Sequence, residues 1–308
     1  MLYRNNSIVI TGSSGFVGRK LASTLINQGF NVIGIDTHTN NDLDCKQLEL
    51  DLAEDDFFLE LPENAILIHL AALSTDSACR EDPIAAIDAN LRATIRVLEI
   101  ARKANAAHFI FASSEWVYPE SNSIIDQKES DSLVLENLNS LYAMTKLFGE
   151  SLVRLNSNVN YTTLRFGIVY GPRLSPGSAV ESIALKVYLN EEISVGSEST
   201  SRRFIYIDDL VNGIISTLKS DSRNISRKTF NLAGPELVSL GRIVEIANSV
   251  LDKNAKIISG DKSPSIRNPL VDEAFLNLGW HPMVDLSSGI RECVSLMTKS
   301  RGIELDSL

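Results

Sequence analysis

A chain of 308 residues, 44% hydrophobic and 22% charged, has the composition of a globular enzyme and the length to bury a full core. Its formal net charge of -10 argues against a surface for nucleic acid or for an anionic membrane, while leaving room for a local basic pocket that takes an anionic small molecule. No apolar run reaches membrane-spanning length and no targeting segment precedes the first strand, so the expectation is a cytoplasmic protein.

The first element is an apolar strand, Ser7 to Thr11, that runs into Gly12-Ser13-Ser14-Gly15-Phe16-Val17-Gly18. Gly12 permits a sharp turn off the strand, Gly15 lets backbone N–H groups approach a pyrophosphate, and Gly18 lets the following helix pack closely on the sheet. Val17, Leu21 and Leu25 give that helix an apolar stripe. The second strand, Asn31 to Ile35, ends in Asp36, eighteen residues after Gly18, where a dinucleotide fold places the acid that binds the adenosine ribose diol. A carboxylate there repels a 2′-phosphate, and no Arg or Lys lies between Gly34 and Cys45 to attract one, so the cofactor is expected to be NAD.

A third strand over Lys46 to Leu52 delivers Asp51, and the apolar run Ala65 to Ala72 reads as a parallel strand buried on both faces. Ala71 and Ala72 are small enough to leave room for the cofactor, and His69 reads as a packed core histidine. Ile84, Ile87, Leu91, Ile95 and Leu98 advance by three or four residues, which predicts an amphipathic helix over Pro83 to Lys103. Its second side, with Ala86, Ala89, Ala93, Val97, Ile100 and Ala101, is either core or a subunit contact, and Asn90 needs a partner if buried.

The strand His108 to Ala112 is followed by Ser113 and Ser114, hydroxyls at the carboxyl end of a parallel strand where doubly wound folds bind ligands. After a polar excursion from Glu120 to Asn139 comes a helix opened by Tyr142-Ala143-Met144-Thr145-Lys146. The spacing of four sets the phenol and the ammonium on one face. Tyr161 to Phe166 is a strand, Leu174 to Ser201 departs irregularly into a second lobe, and Phe204 to Asp209 returns ahead of a helix over Leu210 to Leu218. A strand at Thr229 to Leu232 precedes helices near Leu240 to Leu251 and Leu286 to Met297. Cys45, Cys79 and Cys293 and the four histidines follow no ligand or disulfide spacing, so no metal site is expected.

Tyr142, Lys146 and Ser114 together form a unit that moves a proton while NAD moves a hydride: the lysine's charge is expected to lower the tyrosine pKa, and the serine hydroxyl bonds the same substrate oxygen. Across almost its whole length the sequence resembles the extended short-chain dehydrogenase/reductases, the nucleotide-sugar epimerases and dehydratases. The likeness rests on Gly12, Gly15 and Gly18, on Asp36, on Asp51-Leu52, on Leu70-Ala71-Ala72, on Asn90, on Ser114, and on Tyr142 with Lys146. Arg165, Tyr170-Gly171-Pro172-Arg173, Arg202 ahead of Phe204 to Asp209, and Leu278-Gly279-Trp280 are further landmarks.

The resemblance implies a Rossmann-type doubly wound parallel sheet with a smaller C-terminal substrate-binding lobe. Residues 1–168, with a returning segment about 204–231, form the NAD-binding domain, and 169–203 with 232–308 form the lobe. It implies catalysis by Ser114, Tyr142 and Lys146, with Lys146 also holding the cofactor ribose. It implies NAD contacts from Gly12, Gly15, Phe16, Val17, Gly18, Asp36, Asp51, Leu52, Leu70, Ala71, Ala72, Asn90, Ser113, Tyr142 and Lys146. Ser74, Glu115, Arg173 and Arg202 are the candidates for a nucleotide-diphosphate sugar, the arginine at the Arg202 position holding the diphosphate in relatives. A homodimer through the 83–103 and 141–155 helices is expected, with Ala86, Ala89 and Ala93 allowing close packing.

Three departures narrow the reaction. Relatives that eliminate water or carbon dioxide resemble one another in a glutamate at the position of Trp116, and here Glu115 stands next door with its side chain expected to point elsewhere. Ile168 replaces an asparagine that touches substrate phosphate, and Arg203 replaces an aspartate. Epimerisation by transient oxidation is therefore the leading expectation. A ketosugar reductase that consumes NAD(P)H is the alternative among enzymes, and a non-catalytic NAD-binding sensor or scaffold is the alternative of another class.

Overall fold

Short apolar strands, most of them buried at nearly every position, build one parallel sheet with a core on each face. The computed structural model describes residues 6–54, 59–156 and 158–299, so the chain's first five residues and the end of the expected lobe, 300–308, lie outside the described residues. Seven strands form the sheet: β1 (Ile8–Thr11), β2 (Val32–Asp36), β3 (Lys46–Glu49), β4 (Ile66–His69), β5 (His108–Ser114), β6 (Tyr161–Phe166) and β7 (Lys228–Leu232). Their order is β7-β6-β5-β4-β1-β2-β3, and every neighbouring pair is parallel. The winding reverses between β1 and β4, which opens a crevice at the carboxyl ends of these two strands.

Alternate residues of a strand go to opposite layers. Ile8 and Ile10 join Leu21 and Leu25 of α1 (Phe16–Asn27), whereas Val9 joins Val97, Leu98, Phe109 and Phe111 on the other face. On that second face lie α2 (Asp76–Glu81), α3 (Pro83–Ile87), a π-helical turn (Asp88–Arg92), α4 (Ala93–Lys103) and α5 (Leu141–Leu155). The stretch read as an irregular departure contains α6 (Ala179–Leu189), started by a capping box of Ser178 and Glu181. Its apolar residues are buried almost all round, with Val180, Ile183, Ala184, Leu185 and Val187 inside, so no one-sided period announced it.

The chain then returns through Ile205–Tyr206, which pairs with Val169–Tyr170 apart from the main sheet, and through α7 (Ile207–Lys219), which packs on α1. After α8 (Ser222–Ile225), β7 completes the sheet. The remaining helices are α9 (Leu240–Leu251), α10 (Asp272–Leu278) and α11 (Leu286–Lys299). Trp280 donates its ring N–H to the Asp209 carbonyl, and the Asp209 carboxylate accepts from the N–H groups of Met283 and Val284. This contact ties the link between α10 and α11 to the start of α7.

The face assignment of the 83–103 helix is corrected. Ala86, Ala93, Val97, Leu98 and Ala101 are buried against the chain's own core, while Ile84, Ile87 and Ile95 are 74%, 47% and 43% exposed. Both stripes have helical spacing, and the π-helical turn adds a local rotation that a 3.6-residue period does not contain. The small residues are thus unavailable for packing across a two-fold axis.

His69 is enclosed, as the sequence suggested, within a directed chain of hydrogen bonds. The Ala71 N–H donates to Thr11 Oγ1, which lies 2.7 Å from His69 Nδ1, and His69 Nε2 lies 2.9 Å from Thr94 Oγ1, whose proton goes to the Asn90 carbonyl. Since the Thr94 hydroxyl proton is committed, Nε2 carries the imidazole proton and Nδ1 accepts. Burial, with the Lys146 charge adding to it, pushes this imidazole from 6.5 down to about 3. The unfolded chain therefore binds a proton between these values that the folded one refuses, so stability falls as pH drops below 6.5. Equilibrium urea unfolding should show the His69→Gln variant losing less stability than the parent between pH 6.5 and 4.5, by on the order of 2 kcal/mol.

Candidate active site

The tight turn after β1 sets the floor of the site. Gly12 has φ +73°, and a Cβ there would lie 2.8 Å from the Ala71 nitrogen; a Cβ on Gly18 would lie 1.9 Å from the Gly12 carbonyl oxygen. Only hydrogen side chains let β1, the end of β4 and the start of α1 meet this closely. The result is a cleft of about 790 Å³ along the crevice, a volume suited to a dinucleotide together with part of a second ligand.

Seventeen of the residues picked from the sequence converge on that cleft. Gly12, Gly15, Phe16, Val17 and Gly18 line one wall, and Asp36, Asp51 and Leu52 line the end beyond β2. Leu70, Ala71, Ala72 and Ser74 follow β4, Arg173 stands over Phe16 at the glycine turn, and Ser113, Ser114, Tyr142 and Lys146 close the opposite end. Asn90, Glu115 and Arg202 are not in the lining.

Each of these three is engaged behind the cleft. Asn90, expected among the cofactor contacts, is buried; its carbonyl oxygen accepts from the Leu73 N–H, and its amide donates to the Leu73 carbonyl and to Thr145 Oγ1. It braces the strand-end loop against α5 one residue before Lys146. Glu115 is fully buried and faces Arg202, whose Nε is 3.3 Å from its carboxylate. Burial pushes this carboxyl up to about 7, against the pull of Arg202 and Arg267. Arg202 donates besides to the carbonyls of Ser201 and Ser265, to Ser265 Oγ and to Glu120. Arg203, the replacement for an aspartate, binds Asn268 Oδ1 and the carbonyls of Gly234 and Pro235.

At the β2 end, Asp36 Oδ2 accepts from the Ser14 N–H and Oδ1 from the Thr37 N–H, both at 2.8 Å. The carboxylate is thereby fixed between the glycine turn and the strand end. The cationic or histidine side chains on the cleft, among the described residues, are His38, Lys146 and Arg173. None is an Arg or Lys beside Asp36.

At the other end, Tyr142 is buried beside Ser114, and Trp116 meets the phenol edge-on with ring centroids 6.1 Å apart. Burial pushes the phenol up to about 12, although a hydrogen bond from Ser114 opposes the rise. The expected lowering by Lys146 is corrected: its ammonium donates to the Ala112 carbonyl at 2.9 Å, and Nζ lies 5.9 Å from the Tyr142 ring centroid. Burial pulls Lys146 itself down to about 8. Ser113 hydrogen-bonds Glu150, which also holds Arg165 through two contacts of 2.8 and 2.9 Å.

The cleft contains residues that the sequence reading did not select. Trp116 was noted as a substitution and turns out to be a wall. Thr75 and Asp76 also line the cleft, at the start of α2, where Thr75 caps the helix by accepting from the Ala78 N–H. The Ser-Thr-Asp run before Ala78 was the available signal for that short helix.

A model of the NAD dependent epimerase/dehydratase family matches residues 8–233. The chain belongs to that family. Among curated relatives, an uncharacterised protein of Methanocaldococcus jannaschii is 29% identical over 94% of this chain and 95% of its own length. UDP-glucuronate 4-epimerase 6 of Arabidopsis thaliana is 26% identical over 97% of this chain and 73% of its own. The solved UDP-glucose 4-epimerase of Thermotoga maritima, determined with UDP-glucose, superposes with a TM-score of 0.84 at 22% identity, covering 96% of this chain and 99% of that one. That likeness establishes the same fold. NAD dependence is the family's shared property, and the glycine turn and Asp36 fit it.

Replacing Asp36 by Ala should narrow the preference for NAD over NADP at least tenfold, chiefly by weakening NAD. Fluorescence titration with both reduced cofactors checks this, and equal affinities in the unmodified protein would remove the role assigned to Asp36.

Proposed function

We propose that this enzyme epimerises a nucleotide-diphosphate sugar by transient oxidation of one sugar hydroxyl. The observation that carries the reading is that Ser114, Tyr142 and Lys146 line one end of a dinucleotide cleft together, with Trp116 edge-on to the phenol in place of a second acid. The Gly12 to Gly18 turn would hold the pyrophosphate of NAD, Asp36 its adenosine ribose and Lys146 its second ribose, and the group so bound would supply a reversible acceptor for the sugar's hydride. Burial holds the Tyr142 phenol up at about 12. Tyr142 would therefore take the proton of the substrate hydroxyl, and later restore it, only with the positive charge of bound NAD beside it favouring the phenolate, while Ser114 would keep that oxygen in line. Trp116 has no side-chain acid to titrate, so the flanking acid that water elimination needs is missing at this position.

The redox-neutral reaction requires the cofactor to stay bound, and the loop after β6 favours that. Arg173 stacks on Phe16, with its guanidinium carbon 3.7 Å from the ring centroid. Buried Glu181 ties the loop down, accepting from the N–H groups of Gly171, Gly177 and Ser178 and from Arg173 Nε. Purified protein is expected to carry bound NAD(H) and to interconvert two epimers without added cofactor. Tyr142→Phe should lower kcat at least a hundredfold with little change in substrate affinity. Consumption of one NADH per keto-sugar reduced, with no epimer formed in its absence, would instead identify a reductase.

The partner proposed for the exposed side of the 83–103 helix is a second copy of the chain. Ile84, Ile87 and Ile95 share the exposed apolar surface with Phe148 and Leu155 of α5, which are 47% and 77% exposed. Sedimentation at micromolar concentration should give a dimer, and the double variant Ile87→Glu/Phe148→Glu should give a monomer.

A further inference from the structure

We propose that Asp76 and Trp116 make the site selective for an uncharged hexose, so that a nucleotide-linked uronic acid is excluded. The inference rests on the nucleotide-sugar reading above and specifies its sugar. Around Tyr142, the cleft is lined by Ser74, Thr75, Asp76, Ser114 and Trp116: hydroxyls, one indole and one carboxylate.

The Asp76 carboxylate is placed by two elements. One oxygen accepts from the hydroxyl of Ser140, the N-cap of α5 two residues before Tyr142, and the other accepts from Arg80 Nε at 2.6 Å. Burial raises this carboxyl, but the hydrogen bonds from Arg80 and Ser140 and the charges of Arg80 and Arg267 outweigh it, leaving the group below its ordinary value and ionised at neutral pH. An ionised carboxylate accepts hydrogen bonds from sugar hydroxyls and repels a second carboxylate.

Each cation near this end is already engaged by the protein, among the described residues. Lys146 is held toward the sheet by the Ala112 carbonyl and lies 5.3 Å from the Phe111 ring centroid. Arg173 is at the glycine turn, stacked on Phe16 and paired with Glu181, and His38 is at the far end beside Asp36. Arg80 is paired with Asp76 and does not line the cleft.

The remaining candidate is Arg267, and Trp116 covers it. The guanidinium carbon lies 4.8 Å from the indole centroid; Nε donates to the Tyr118 carbonyl, Nη2 contacts Glu120 at 3.1 Å, and Nη1 is buried without a hydrogen-bond partner. A uronate would thus meet Asp76 while the nearest spare guanidinium N–H stays behind an indole.

The test is calorimetric titration of the NADH-loaded enzyme with UDP-glucose and with UDP-glucuronate, alongside turnover assays on both. UDP-glucose is expected to bind at least tenfold more tightly. Asp76→Asn, which retains an oxygen for Ser140, should tighten UDP-glucuronate at least threefold and weaken UDP-glucose, so that the preference narrows. Trp116→Ala, by uncovering Arg267, should move UDP-glucuronate in the same direction. Equal or tighter binding of UDP-glucuronate by the parent would overturn the inference, as would an Asp76→Asn variant that weakens both sugars alike, the mark of a residue that only anchors α5. Binding with the expected preference but without turnover would count against the epimerase reading alone.

Discussion

The structure depends on one point of crowding, where the carbonyl of Gly12, the first turn of α1 and the backbone of Ala71 come within van der Waals distance. A single methyl group at Gly18 would press to 1.9 Å on the Gly12 oxygen. Because the sheet order reverses between β1 and β4, this is also where the crevice opens. Close packing of three backbones and access for a cofactor are therefore the same requirement, met by residues without side chains.

From that point a buried polar relay runs toward α5. It passes from the Ala71 N–H through Thr11, His69 and Thr94 to the Asn90 carbonyl, and the Asn90 amide continues to Thr145 on α5. Every member has a partner, so the low dielectric of the core strengthens the chain. Its effect is positional: the loop after β4, which carries Ser74 to Asp76, and the helix that carries Tyr142 and Lys146 are held in one frame.

Behind the sugar end lies a second polar group of different character. Glu115, Glu120, Arg202 and Arg267 place two carboxylates and two guanidiniums within ion-pair distance, yet both Glu115 oxygens and Arg267 Nη1 lack hydrogen bonds. Trp116 separates this cluster from the cleft. The substitution that removes an acid beside Tyr142 thus also shields the charges that would otherwise shape the substrate pocket.

The sequence by itself determined what depends on local pattern. Apolar strand runs, the glycine spacing, Asp36 and the Tyr142–Lys146 interval point to the parallel sheet, the NAD cofactor and most of the cleft lining, because each is a short-range constraint legible in consecutive residues. Tertiary structure decided the rest. Which stripe of the 83–103 helix faces inward is decided by packing, since both have helical spacing and only one lies against the core, and α6 carries no one-sided period because the core surrounds it. Asn90 and Arg202 match motif positions and Glu115 stands beside one, but their side chains are claimed by partners 17, 63 and 87 residues away: Leu73, Ser265 and Arg202. The pKa of Tyr142 was misjudged for the same reason, since burial and the direction of the Lys146 ammonium are properties of packed neighbours and not of spacing along one helix.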